Sequence, residues 1–313
     1  MSADAMRLRF KLNHYYQGQN APFLYAEDAG LFAGLDVEME FIEGFSSSQV
    51  TRALSEGAAD IGFGDVTSVI QHAMVSGDTS IRCLLPIYAR SPCALGYHRR
   101  TPPLALSDLA GARLCGPQGD TSARLLPALL SLNGLEDLRY DFVTVTPEER
   151  DRLVASRDVL AATCFDATLK FAMPMRGHDS SDIDFLYFAD HGLDSYSSAV
   201  IYNSTALGSS PRLAPNLATA FRQAWHDCQE TPELGVAAVL RRNPKLDPVL
   251  VRAQLDWVLE HQVFLADRPA LTFEPGSARW ANTVSIARYA VSGQFEAQHR
   301  DLTLAATLCD VHG

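Results

Sequence analysis

With 313 residues, 47% hydrophobic and 20% charged, the chain has the composition of a folded α/β protein and enough length to bury two lobes of ordinary domain size. A formal net charge of −11, with three lysines (Lys11, Lys170 and Lys245), excludes the basic surface that nucleic acid and anionic membranes attract. No apolar run reaches the roughly 20 residues that span a bilayer, and no basic segment followed by an apolar stretch opens the sequence.

Taken in order, the elements alternate. Met6, Leu8, Phe10 and Leu12 alternate with Arg7, Arg9 and Lys11, which predicts a first strand. A helix follows over 21–29, with Asn20 as its cap, Pro22 in its first turn and Gly30 beyond its end. Leu35–Ile42 reads as a strand; Ser46, Ser47 and Ser48 then cap a helix that runs to Glu56 and stops at Gly57. Ile61–Gly64 is a strand, Asp65 or Thr67 caps a helix to Ser76, and Ile81–Leu85 is another strand. The pattern restarts after Arg99-Arg100-Thr101-Pro102-Pro103, with strands expected at 113–115, 140–145, 159–163, 183–188 and 199–202. Between them a turn at 119–122 leads into a helix through Leu132, and further helices span 147–155 and 167–173; beyond residue 212 the segments 216–228, 232–241, 248–261 and 279–291 read as amphipathic helices. Such alternation implies mostly parallel sheets, with ligands taken at the strand-to-helix turns. The tail should pack back on the first lobe, giving lobe 1 from 1–90 plus 200–313 and lobe 2 from 91–199, with crossovers near 88–100 and 190–200.

Several stretches together carry a resemblance. Asn20-Ala-Pro-Phe-Leu-Tyr-Ala-Glu-Asp-Ala-Gly-Leu-Phe, then Gly34-Leu-Asp-Val-Glu, resembles the opening of periplasmic solute-binding proteins of the taurine, nitrate and thiamine-precursor group. Glu56-Gly57-Ala58-Ala59-Asp60-Ile61-Gly62 is similar to that group's G-x-A-D-x-G segment, and Ser107-Asp108-Leu109-Ala110-Gly111 to its entry into the second lobe. Asp190-His191-Gly192-Leu193-Asp194-Ser195-Tyr196 resembles a late element at the return crossover. The resemblance implies a two-lobed periplasmic-binding-protein-like α/β fold of type II, with a ligand cleft between lobes. It also implies the binding component of an ABC importer, a monomer without enzymatic activity or cofactor, which closes on a small molecule by hinge motion and docks on a membrane permease. A periplasmic location follows from it if a signal peptide has been removed; a cytosolic ligand-sensing domain of the same fold is the rival. Another rival is the related fungal enzyme that makes the thiamine pyrimidine from pyridoxal phosphate. Its cofactor lysine and nearby histidine correspond here to Gly64 and Ser68, which argues against that activity.

The candidate ligand residues lie at the turns. Ser46 and Ser47 open a helix, where backbone N–H groups and hydroxyls favour polar oxygens, although capping alone would explain them. Asp65, with Thr67, and Asp166 stand after strands of the two lobes and could accept hydrogen bonds from a nitrogen heterocycle. Asp120 and Thr121 open a helix of the second lobe, with capping again the plain alternative. Tyr15, Tyr88 and Tyr196 are candidate stacking residues, and Asn20 and Asp190 complete the set. A thiamine-pyrimidine precursor therefore ranks ahead of a sulfonate, nitrate or aromatic acid. The six scattered cysteines read as buried apolar residues, a Cys83–Cys93 disulfide being the alternative, and Trp225, Trp257 and Trp280 read as core.

Overall fold

A computed structural model describes residues 5–44, 47–208, 211–274, 276–292 and 307–309. The chain forms two compact units, Met1–Ala89 with Tyr196–Gly313, and Arg90–Ser195. The first stretch lays down β1 (Met6–Lys11), α1 (Ala21–Asp28), β2 (Val37–Ile42), α2 (Ser47–Ser55), β3 (Ile61–Asp65), α3 (Val66–Ser76) and β4 (Ile81–Pro86). The second unit comprises β5 (Cys93–His98), β6 (Arg113–Pro117), α4 (Thr121–Leu132), β7 (Asp141–Val145), α5 (Pro147–Ala155), β8 (Ala161–Phe165), α6 (Asp166–Met175) and β9 (Ile183–Tyr187). The chain then returns as β10 (Ser198–Asn203) and continues through α7 (Leu213–Glu230), α8 (Pro232–Arg242), α9 (Pro248–Val258) and α10 (Ala278–Ser292).

Each unit is built on a five-stranded sheet, in the order β2-β1-β3-β10-β4 in the first and β7-β6-β8-β5-β9 in the second. The sheets are mixed. β1 runs parallel to β2 and β3, but β10 is antiparallel to both β3 and β4. In the second sheet β6 runs parallel to β7 and β8, whereas β5 is antiparallel to β8 and β9. The reversed strand in each sheet is the one the chain makes immediately after changing units. The sequence reading missed β5 altogether, because Cys93–His98 was assigned to a crossover. It also set β8 two residues early, and the helix expected over 248–261 ends at Val258 in a π turn over Leu259–Val263.

The first sheet has an apolar cluster on each face. On one side Leu8, Phe10, Ile61, Phe63 and Val200 meet Phe23 of α1 and Phe221 and Trp225 of α7. On the other, Ile81, Cys83, Ala199 and Ile201 meet Val50 of α2, Val69 of α3 and Trp280 of α10. Side chains alternate across a strand, so neighbours such as Val200 and Ile201 serve opposite faces. Burial on both faces of one sheet supplies the main stabilisation, at about 25 cal/mol per Å² of apolar surface removed from water.

The stretch matching G-x-A-D-x-G is explained by packing. Gly57 takes a left-handed φ of 69° just beyond α2. Asp60 accepts hydrogen bonds from Arg9 through its backbone N–H (2.9 Å), Nε (2.9 Å) and Nη2 (2.7 Å), clamping β3 to β1. A Cβ on Gly62 would lie 2.5 Å from the Lys11 carbonyl oxygen and 2.6 Å from Val50 Cγ1, so only glycine lets α2 approach the sheet here.

All six cysteines are buried thiols, and the Cys83–Cys93 pairing is not made. Trp225 and Trp280 are core residues. Trp257 is not: it is half-buried and stacks on His261 with ring centroids 3.7 Å apart.

Candidate functional site

In the first unit the carboxyl end of β1 leads into Asn13 and His14, and the end of β3 is Asp65 itself. Asp65 has extended backbone and caps α3. Its carboxylate accepts from the Ser68 backbone N–H at 3.1 Å and from the Thr67 hydroxyl. Burial pushes this carboxyl above the usual aspartate value, and the bonds from Thr67 and Ser68 oppose that rise only in part. A half-buried carboxylate held at a strand end in this way is suited to accept a ligand's N–H.

Asn20 stands at the cap position of α1 but makes no capping bond with its side chain. Its Nδ2 instead donates to Asn13 Oδ1 at 3.3 Å, and Gln19 Nε2 reaches the same oxygen at 3.5 Å. The Tyr88 hydroxyl donates to Gln19 Oε1 at 3.5 Å, while its ring meets Phe63 edge-on. Asn20, Asn13, Gln19 and Tyr88 thus form one amide and phenol group. Sequence reasoning found Asn20 and Tyr88 but not Asn13 and Gln19; Tyr88 reaches Gln19 from a distant segment.

Two other candidates of this unit lie elsewhere. Tyr15 is 49% exposed and packs edge-on against His14. Tyr196 is 1% exposed, packed against Phe273 and Trp280, with the Arg279 guanidinium 4.2 Å from its ring centre. Its hydroxyl accepts from the Glu274 backbone N–H at 2.8 Å, so its whole surroundings are those of a core residue. Ser46 lies outside the described residues, and Ser47 is the first residue of α2.

In the second unit Gly119, with a φ of 76°, turns the chain after β6, and Asp120 caps α4 by accepting from Ala123 N–H at 3.0 Å. Thr121 Oγ1 accepts from Arg124 at 3.4 Å. The next residue, Ser122, is fully buried and donates to the Cys164 carbonyl at 2.7 Å, tying α4 to β8.

Asp166 follows β8 as Asp65 ends β3, but its environment differs. It is 0% exposed and accepts from the Tyr187 hydroxyl at 2.8 Å and from Ala167 N–H at 2.6 Å. The phenol proton is held firmly, since burial and the adjacent carboxylate both push the Tyr187 pKa far up. The Arg90 guanidinium lies 3.8 Å above the Tyr187 ring, and its Nη1 is 3.7 Å from Asp190 Oδ2. The expected residues Asp166 and Asp190 are therefore joined through Arg90 and Tyr187, neither of which the sequence singled out. Tyr187 ends strand β9 and Arg90 lies in a crossover, so nothing local marks them.

Two positions of the resembled enzyme's site carry other residues here, Gly64 and Ser68. A Cβ at Gly64 would come within 2.4 Å of Ile201 Cδ1, the end of a side chain that would have to turn aside. Ser68, at the histidine position, is engaged with Asp65.

No curated protein sequence matches the chain. Among solved structures, the periplasmic aliphatic sulphonate-binding protein SsuA from Escherichia coli superimposes with a TM-score of 0.69 at 16% identity, over 96% of this chain and 91% of that one. SsuA from Xanthomonas axonopodis pv. citri, an alkanesulfonate-binding protein bound to MOPS, gives 0.63 at 14% identity, over 99% and 100%. The Candida albicans CA3427 gene product, described as having the generic periplasmic binding protein fold, gives 0.60 at 13% identity, over 97% and 96%. At these identities the likeness is one of fold, and the fold is that of the periplasmic binding proteins. The model of the NMT1/THI5-like family matches residues 17–234, well over half of the sequence, and the chain belongs to that family.

Proposed function

We propose that the chain is the solute-binding component of an ABC importer, which binds a small polar molecule and hands it to a membrane permease without transforming it. Family membership and the likeness to structures named as periplasmic sulfonate-binding proteins support this reading. No described helix is long and apolar enough to cross a membrane; in this reading the protein is a monomer that works in the periplasm. The net charge of −11 speaks against a nucleic-acid partner.

For the ligand we favour a nitrogen heterocycle such as a thiamine-pyrimidine precursor. The observation that carries this is the carboxylate of Asp65 at the end of β3, matched by Asp166 after β8. Asp65 would accept directly from an amino or ring N–H, and fully buried Asp166 would act by holding Tyr187 and Arg90. Thr67, Asn20, Tyr88, Asp120, Thr121 and Asp190 are the accompanying contacts in this reading, with Ser46, Ser47 and Tyr15 as further candidates. A sulfonate is the second reading, favoured by the Arg90 guanidinium and by the named ligands of the similar structures.

A thermal-shift panel of aminopyrimidines, other heterocycles, alkanesulfonates, nitrate and aromatic acids tests both. Ligand at about 100 times its dissociation constant adds about 2.7 kcal/mol to stability, a readily seen rise in melting temperature. A heterocycle that stabilises while sulfonates are silent supports the favoured reading. A sulfonate that stabilises alone replaces it with the second. If no compound of the panel shifts the melting temperature, the binding-component reading fails for these ligand classes.

A further inference from the structure

We propose that Cys83 and Cys309 are a disulfide-forming pair, by which residues 307–309 become fastened to the edge of the first sheet. β10 lies along one side of β4, the last strand in the sheet order. Cys309 comes to β4 as the parallel bridge partner of Cys83. Neighbouring strands run about 4.8 Å apart, which falls inside the Cα separation of about 4.4–6.8 Å that disulfides span. Both side chains are buried, 0% exposed for Cys83 and 5% for Cys309, and both belong to the apolar cluster that includes Leu308, Val284 and Ala287. Cys83 thus has a sulfur partner brought by tertiary structure. The remaining cysteines are placed elsewhere: Cys93, Cys115 and Cys164 lie in the second unit and Cys228 lies in α7.

The chemistry requires an oxidant of the disulfide class, for which glutathione disulfide serves. Cys309, the more exposed of the two, reacts first. Its thiolate attacks one glutathione sulfur, releases a glutathione thiolate and leaves a mixed disulfide. The Cys83 thiolate then attacks Cys309 Sγ, forms the Cys83–Cys309 bond and expels the second glutathione thiolate. The protein gives up two protons and two electrons, and the oxidant leaves as two glutathione thiols. The crosslink closes a loop over most of the chain, so it restricts the unfolded state strongly.

The purified full chain is incubated with glutathione disulfide, denatured, and its thiols are counted; unreduced peptides are then mapped. The expected result is two thiols fewer than the six of the reduced protein and a peptide joining Cys83 to Cys309. The oxidised protein should melt higher by about 5 °C or more, and both Cys309→Ser and Cys309→Ala should lose the linked peptide and the shift together. Six intact thiols, a crosslink joining any other pair, or a glutathione adduct on Cys309 that never resolves would overturn the proposal. The peptide map decides the matter even if a variant folds poorly.

Discussion

Asp60 and Asp65 stand five positions apart, at the two ends of one strand, and their surroundings move their acidities in opposite directions. For Asp60, burial raises the pKa, but the three bonds from Arg9 outweigh it and hold the carboxyl below its usual value. A depressed folded pKa contributes stability that is present above the unfolded value of 3.8 and is lost as the pH falls through the folded one. Asp60→Asn should therefore cost about 1.5–3 kcal/mol at pH 7, the range for a hydrogen bond to a charged group. Urea titrations at neutral and acid pH should show the gap between variant and parent closing in acid; a gap independent of pH would remove the ion pair from the account. For Asp65, burial wins and the folded pKa is raised. The linkage then has the other sign: its stabilising contribution is present below the unfolded value and is lost as the pH rises through the folded one. Asp65→Asn should accordingly raise the neutral-pH melting temperature of the ligand-free protein. Asp65→Ala should weaken ligand binding by more than about tenfold, since a charge-assisted bond is lost; calorimetry showing equal affinity would take Asp65 out of the site. Stability surrendered at a residue that binds is a common exchange in proteins.

At the scale of elements, the glycines of β3 set how closely α2 packs. Gly62 faces the backbone of β1 and the side chain of Val50, and Gly64 faces Ile201 and Val50. A methyl group at position 62 meets a carbonyl oxygen that the sheet holds fixed, whereas one at position 64 meets the end of a side chain that can turn. Gly62→Ala should therefore destabilise by about 1–3 kcal/mol, as overpacking does, and Gly64→Ala by less; denaturant midpoints that rank the two in the reverse order would contradict this packing. The same strand shows what the amino-acid sequence makes legible. Caps and stops such as Asp65 and Gly57 work on their own neighbours: the helix capped by Asp65 ends at Ser76 as the sequence indicates, and the one before Gly57 ends at Ser55, one residue short of the expected Glu56. β5 was lost because its identity as a strand comes from β8 and β9, which lie far along the chain and run opposite to it. Among the candidate residues, Asp65 and Asp166 could be picked out because strand-to-helix turns are local signals. The Asn13–Gln19–Asn20–Tyr88 group and the Asp166–Tyr187–Arg90 group could not, because distant segments meet in them. Tyr196 was chosen from a motif, but its ring is committed to Phe273 and Trp280.

At the scale of the whole molecule, the two units depend differently on the continuity of the chain. All five strands of the second sheet come from the uninterrupted stretch Arg90–Ser195, which also supplies a core around Ala94, Cys115, Ala162 and Leu169. The first sheet cannot be completed before the chain returns. β10 sits between β3 and β4 and pairs with both, so without it β4 has no hydrogen-bonded route to the rest of the sheet. The aromatic core around Phe10 and Phe23 likewise needs Phe221 and Trp225 from α7. A chain cut after Ser195 should therefore keep a folded second unit and lose the first. Limited proteolysis of that truncated chain should leave a resistant fragment close to residues 90–195, while residues 1–89 are digested. A fragment of 90–195 made alone should show mixed helix and strand by circular dichroism and a cooperative thermal transition. Survival of residues 1–89 in the truncated chain would mean that β1–β4 close a sheet without β10, which the observed strand order does not allow. Failure of 90–195 to fold alone would mean that its core is completed by the first unit, and the account of two separate cores would have to be given up.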